Sequence, residues 1–130
     1  LDAWVADHAD RARAFTSLGQ LRYLSLMALV DGVVGNSSSG LYEAPSFDVA
    51  TVDIGDRQAG RLAATSVIRC APERSGVKAA LQRALGPRPT GTTNPYGDGH
   101  TSRRVLDVLR DLPPPQQLLK KPFHSLETTT

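Results

Sequence analysis

Little in this chain can cross-link, span a bilayer or hold a metal. Its 130 residues include one cysteine, Cys70, so no internal disulfide can form. Stability must come from burial and hydrogen bonding, and a reducing compartment, the cytoplasm, is expected. No apolar run approaches the ~20 residues that cross a membrane, and no signal-peptide pattern is present. Aromatics are scarce, with one Trp, three Tyr and three Phe, which leaves Val, Leu, Ile and Ala to pack the interior. The net charge of +2 is small and basic residues are interspersed with acids, which argues against nucleic acid as a partner. The three histidines, His8, His100 and His124, are too dispersed for a metal site. Ser37 lacks the Gly-x-Ser-x-Gly setting of an esterase nucleophile. Cys70 lacks a nearby base and reads as a buried thiol.

What is present begins with a turn. The apolar stretch Val30–Val34 runs into Gly35-Asn36-Ser37-Ser38-Ser39-Gly40-Leu41-Tyr42-Glu43-Ala44-Pro45. Small residues between a strand end and a helix start let backbone N–H groups approach a ligand, and the helix start favours an anion. A carboxylate about one turn further on, Glu43, can accept from the vicinal hydroxyls of a sugar. The same serines can equally cap the helix, and Glu43 can equally be a first-turn acid facing the helix dipole.

The rest of the chain alternates in period. Helical spacing marks 2–12 and 20–30, with Gly19 between them and a short strand possible over 13–16. A short buried strand is expected at 32–35 and a short helix from Ser39 or Gly40 to Phe47. The β-branched run Val49–Ile54 reads as the next strand, 57–64 as a loop and 66–70 as a third strand. Pro72-Glu73 opens a helix carrying Val77, Leu81 and Leu85, closed by Gly86-Pro87. Residues 86–97 are loop, and Thr101–Leu112 is an amphipathic helix that Asp98 or Thr101 could cap. Pro113 to Pro115 stop it. The division expected is one domain over 1–112 and a tail over 113–130, with Thr128–Thr130 disordered. There is no internal repeat. Strands alternating with helices imply a parallel α/β sheet with ligands at the carboxyl ends of its strands. The serine turn and the Asp56-Arg57 loop should then share one edge.

Three separated blocks carry a resemblance. They are the serine turn with Glu43-Ala44-Pro45-Ser46-Phe47, the run Ala50-Thr51-Val52-Asp53-Ile54-Gly55-Asp56-Arg57-Gln58 with Gly60-Arg61, and Asn94-Pro95-Tyr96-Gly97-Asp98-Gly99-His100-Thr101-Ser102. In that order they resemble the C-terminal domain of the UDP-N-acetylglucosamine 2-epimerases, over about Ser17 to Phe123. The resemblance implies a Rossmann-like parallel sheet flanked by helices, part of the C-terminal half of a two-domain GT-B enzyme. The opening residue, Leu1 rather than Met, fits the expectation of a fragment. By resemblance Ser37 and Ser38, with Ser39 and Gly40, meet the UDP diphosphate, Glu43 meets the ribose and Arg57 the diphosphate. A surface pairing of Arg57 with Asp53 or Asp56 is the alternative, while Arg61 reads as structural or rim, His100 as loop-shaping and Lys120-Lys121 with Phe123 as a solvated end.

The family removes the C2 proton of the sugar and eliminates UDP to give a 2-acetamidoglucal. Non-hydrolysing members add UDP back, and hydrolysing members add water and release N-acetylmannosamine. Asn-Ser-Ser-Ser-Gly and Ile54-Gly55-Asp56-Arg57-Gln58 both point to the hydrolysing branch, which feeds bacterial sialic and related nonulosonic acids. The resemblance places no catalytic acid or base in this chain, implies no cofactor or metal, and implies an N-terminal Rossmann-like domain and homo-oligomers, dimer or tetramer, of the parent enzyme. The alternatives are the non-hydrolysing isomerase, another GT-B glycosyltransferase and a non-catalytic nucleotide-binding module.

Overall fold

The computed structural model describes residues 1–119; what the sequence suggested for Lys120 to Thr130 lies outside the described residues. Residues 1–96 form one compact unit, and a second begins at Gly97. The first unit contains α1 (Asp2–Asp7), α2 (Gly19–Met27), β1 (Gly32–Gly35), α3 (Ser39–Tyr42), a 3-10 turn over Ala44–Phe47, β2 (Ala50–Ile54), β3 (Val67–Cys70) and α4 (Arg74–Ala84). The second contains α5 (Thr101–Arg110) and α6 (Pro115–Leu118).

The three strands are parallel in the order β1-β2-β3, and Gly35, Asp53 and Arg69 share one row. Parallel pairing requires crossovers, which α3 with its 3-10 turn supplies after β1. The side chains of β2 sort by alternation. Ala50 and Val52 meet Ala80 and Ala84 of α4, with Ile54, Ile68, Cys70 and Leu81 around them. Thr51 points to the other face, where its hydroxyl donates to the Gly40 carbonyl at 3.0 Å. On that face Met27, Ala44 and Val49 pack with Tyr23, Val30, Val33 and Phe47. β2 shows no exposed face because the middle strand is covered on both sides, and Ala50 to Asp53 are all buried.

Several boundaries differ from the sequence reading. α1 stops at Asp7, and 13–16 forms no strand. Gly19, expected to break the pattern, opens α2 with φ +67. β1 is half-buried rather than buried, since it is an outer strand of this sheet, and Val34 is 51% exposed. α5 ends at Arg110, two residues early, and α6 was not expected. In the second unit Asp98 accepts from the His100 N–H at 3.1 Å and pairs with Arg104 at 2.5 Å, so it braces the first turn of α5. Those bonds hold the Asp98 carboxyl down at about 2. The apolar residues Val105, Leu106, Val108 and Leu109 of α5 are about half exposed.

Gly40 is where the two faces constrain one another. A Cβ at Gly40 would stand 2.5 Å from the Thr51 methyl and 3.4 Å from its hydroxyl oxygen. The β-branched Thr51 is buried and stiff about χ1, so it cannot swing aside cheaply. Gly40→Ala is therefore expected to lower stability by about 1–3 kcal/mol through overpacking. Gly40→Ala with Thr51→Ser, which removes the methyl, is expected to recover most of that loss. Thermal melts of the single and double variants check this, and equal melting temperatures for the two would contradict it.

Candidate functional site

The serine turn leaves β1 at Gly35 and enters α3 at Ser39. Its internal bonds are few. The Ser39 N–H donates to the Ser37 hydroxyl oxygen at 3.3 Å, and the Gly40 N–H donates to the Ser37 carbonyl at 3.2 Å. Ser38 accepts through its carbonyl from Leu41 and Tyr42. Among the described residues the backbone N–H groups of Ser37 and Ser38 have no protein acceptor. Unfilled donors at a strand-to-helix turn suit an anion. Gly40 itself is buried, with its N–H engaged and its carbonyl held by Thr51, so its place in the turn is a packing place.

Two groups flank the turn. On one side the loop after β2 brings Arg57, exposed, within 3.4 Å of the Asn36 carbonyl and 3.5 Å of its side-chain oxygen. Arg57 forms no ion pair with Asp53 or Asp56 among the described residues. The shared edge expected for these two loops is therefore present. On the other side the Ser39 hydroxyl and the Tyr23 hydroxyl are 2.5 Å apart. Tyr23 and Glu43 line a pocket of about 570 Å³ with Phe15, Thr16, Ser17, Leu18, Gly19 and Gln20. Glu43 closes α3 and opens the 3-10 turn, so it is no first-turn acid. Its carboxylate has no hydrogen-bond or ion-pair partner among the described residues.

The residue that fixes the turn was named in a motif but given no role. Gln58 is 2% exposed, its amide N–H donates to the Asn36 carbonyl at 2.7 Å, and its oxygen accepts from Arg61 at 2.8 Å. A buried glutamine with both ends used locks the β2 loop onto the serine turn. The available signal was an uncharged amide between two arginines, which is too common to single out. Arg61 also lies 5.8 Å over the Tyr42 ring, consistent with its structural reading. His100 is exposed and precedes α5. Cys70 is half-buried rather than buried, and it lines a depression of about 510 Å³ with Gly55, Asp56, Arg69, Ala71 and Pro72.

A parallel sheet covered by helices, with its polar turn at the strands' carboxyl edge, is a Rossmann-like α/β domain. Comparison with known proteins refines the class. The family model described as UDP-N-acetylglucosamine 2-epimerase matches residues 2–110, and the chain belongs to this family, whose architecture is GT-B. It is 35% identical over 115 residues to the UDP-N,N'-diacetylbacillosamine 2-epimerase (hydrolyzing) of Legionella pneumophila, covering 88% of this chain and 30% of that protein. It is 35% identical over 106 residues to the UDP-N-acetylglucosamine 2-epimerase of Neisseria meningitidis, covering 79% and 28%. It is 30% identical over 122 residues to the polysialic acid biosynthesis protein P7 of Escherichia coli, covering 91% and 31%. The chain thus spans about a third of the length of these relatives. No helix among the described residues is long and apolar enough to cross a membrane.

Asp53 carries a separable pH prediction. It is 1% exposed, neither carboxylate oxygen has a hydrogen bond, and Arg69 Nε stands 3.7 Å away. Burial pushes its carboxyl up, and Arg69 only partly opposes this. Folding therefore favours the protonated acid, and stability from this group is present below the ordinary carboxylate pKa and is lost as pH rises from there through the raised folded value. Asp53→Asn is expected to raise the melting temperature at pH 7, with the gain shrinking below about pH 4. A variant less stable than the parent at pH 7 would show that Arg69 outweighs burial.

Proposed function

We propose that this chain is the UDP-binding part of a hydrolysing 2-epimerase acting on a UDP-activated 2-acetamido sugar, UDP-N-acetylglucosamine in the first instance. The observation that carries this reading is the pairing of unfilled Ser37 and Ser38 N–H groups with an unpartnered Glu43 carboxylate in the adjoining pocket. The diphosphate lies against Ser37, Ser38 and Ser39, with Arg57 reaching it from the neighbouring loop. A guanidinium bridges two phosphate oxygens well. Glu43 accepts from the ribose hydroxyls, and Tyr23 and Phe15 offer aromatic faces to the base. Gly40 contributes by letting α3 sit close to β2.

The hydrolysing assignment draws support from the name of the Legionella relative. That name also supports a second sugar, the 6-deoxy diacetamido relative. The reaction removes the C2 proton and expels UDP in an anti elimination, giving a 2-acetamidoglucal. Water then adds across the double bond to give the free 2-epimeric sugar, N-acetylmannosamine for N-acetylglucosamine. Proton removal needs a positioned base and acid. This reading assigns both to the part of the parent enzyme outside this chain, with an N-terminal Rossmann-like domain closing over the sugar in a cytoplasmic dimer or tetramer. Holding UDP alone lowers no barrier to proton removal, so the chain by itself is inert.

Calorimetric titration of the chain with UDP, with CMP as control, tests the binding reading. UDP-selective binding, even at about millimolar affinity, that Glu43→Ala weakens about tenfold is the expected result. Equal binding of UDP and CMP by the folded chain would overturn it. Release of a free 2-acetamido sugar from UDP-sugar by the full-length enzyme distinguishes hydrolysis from isomerisation.

A further inference from the structure

The Asn94-Pro95-Tyr96 run has no role in the reading above, yet its side chains are spent on the segment that carries Glu43. α3 cannot continue past Tyr42, because Pro45 has no N–H for the Leu41 carbonyl. The chain tightens instead, and the Ser46 N–H donates to the Glu43 carbonyl at 3.0 Å. In a continuous helix that N–H would have gone to the Tyr42 carbonyl. The Tyr42 carbonyl is thus freed at the residue before Glu43, and Asn94 Nδ2 donates to it at 2.8 Å. The same amide nitrogen donates to the Ser46 hydroxyl oxygen at 2.7 Å, and Asn94 Oδ1 accepts from the Tyr96 N–H at 2.9 Å. Both hydrogens and the oxygen of the amide are used, and a flipped amide would set oxygen against the Tyr42 carbonyl.

The rest of the strap braces the same turn. The Tyr96 ring centroid lies 4.1 Å from that of Tyr42, and the Tyr96 hydroxyl donates to the Leu62 carbonyl at 3.0 Å. At the far end of the turn the Thr92 N–H donates to Asp48 at 2.8 Å, where the chain turns with φ 52. Arg88 donates to the Phe47 carbonyl at 3.1 Å. Glu43 sits at the kink, with φ −110 and ψ −49.

We propose that Asn94 is a positioning residue for Glu43: by taking up the freed Tyr42 carbonyl it fixes the kink that turns the Glu43 carboxylate toward the nucleoside pocket. The inference rests on Glu43 accepting ribose hydroxyls. Asn94→Asp is the informative change, because it keeps the shape and the acceptor for Tyr96 and replaces the bond to the Tyr42 carbonyl by repulsion, while the Ser46 hydroxyl can turn to donate. The probes are UDP and 2',3'-dideoxy-UDP, titrated into the 130-residue chain. The parent chain is expected to prefer UDP by about tenfold or more, the worth of a charge-assisted hydrogen bond. In Asn94→Asp that preference should collapse to about twofold or less, while the dideoxy analogue binds within about threefold of the parent. Glu43→Ala should lose the same preference, and the double variant should lose no more. Ser46→Ala, which leaves the Tyr42 bond intact, should keep it. If Asn94→Asp fails to fold by circular dichroism, Asn94→Ala is held to the same criterion. An Asn94 variant that keeps the preference, or that weakens both ligands equally, overturns the inference and leaves the UDP reading standing. A parent chain that does not distinguish the two ligands overturns the ribose reading and the inference with it.

Discussion

The contact between Gly40 and Thr51 sets the geometry on which the rest of the first unit depends. Thr51 lies on the buried middle strand, and its hydroxyl bonds the Gly40 carbonyl at 3.0 Å. That bond is worth about 1 kcal/mol, but its consequence is positional. It seats α3 directly on β2, with no room for a methyl group between them. The serine turn is then the short connection from β1 to a helix whose height above the sheet is already fixed. Gln58 closes the arrangement from the other side by tying the loop after β2 to Asn36. Two buried polar residues, rather than the small apolar core, decide where the turn lies.

The same arrangement explains how a turn beside so short a helix is held in place. Four residues of α3 carry little dipole. What the turn offers is a pair of backbone donors that no group among the described residues takes up, held by packing beneath and by Gln58 beside. Arg57 and Glu43 then stand on opposite flanks, one an exposed cation and the other a carboxylate without a partner among the described residues. The kink at Glu43 follows from Pro45, and Asn94 takes up the Tyr42 carbonyl that the tightened turn leaves free. Sequence, local break, long-range clamp and site are consecutive links of one chain of cause.

Much of this was legible in the residues. β-branched runs and turn glycines marked all three strands near their observed limits, because parallel strands are continuous apolar segments. The serine turn was visible as a turn between a strand and a helix, although its residues alone serve capping as well as they serve a ligand. The parts that were not legible are tertiary. Nothing local shows that Gly40 packs on Thr51, that Gln58 is buried, or that Asn94 reaches back 52 residues to Tyr42. The strand imagined at 13–16 failed because β-propensity in four residues has no partner strand to realise it. Asp53 and Arg69 become an ion pair only when β2 and β3 align in register.

The central claim is that Ser37, Ser38 and Glu43 form one nucleotide site. Backbone amide NMR of the isotopically labelled chain during titration with UDP reads it most directly. The account predicts that the Ser37 and Ser38 amides shift furthest, with Glu43 and Tyr23 following on the same binding curve. Shifts centred instead on Gly55, Cys70 and Ala71, with the serine amides unmoved, would contradict it.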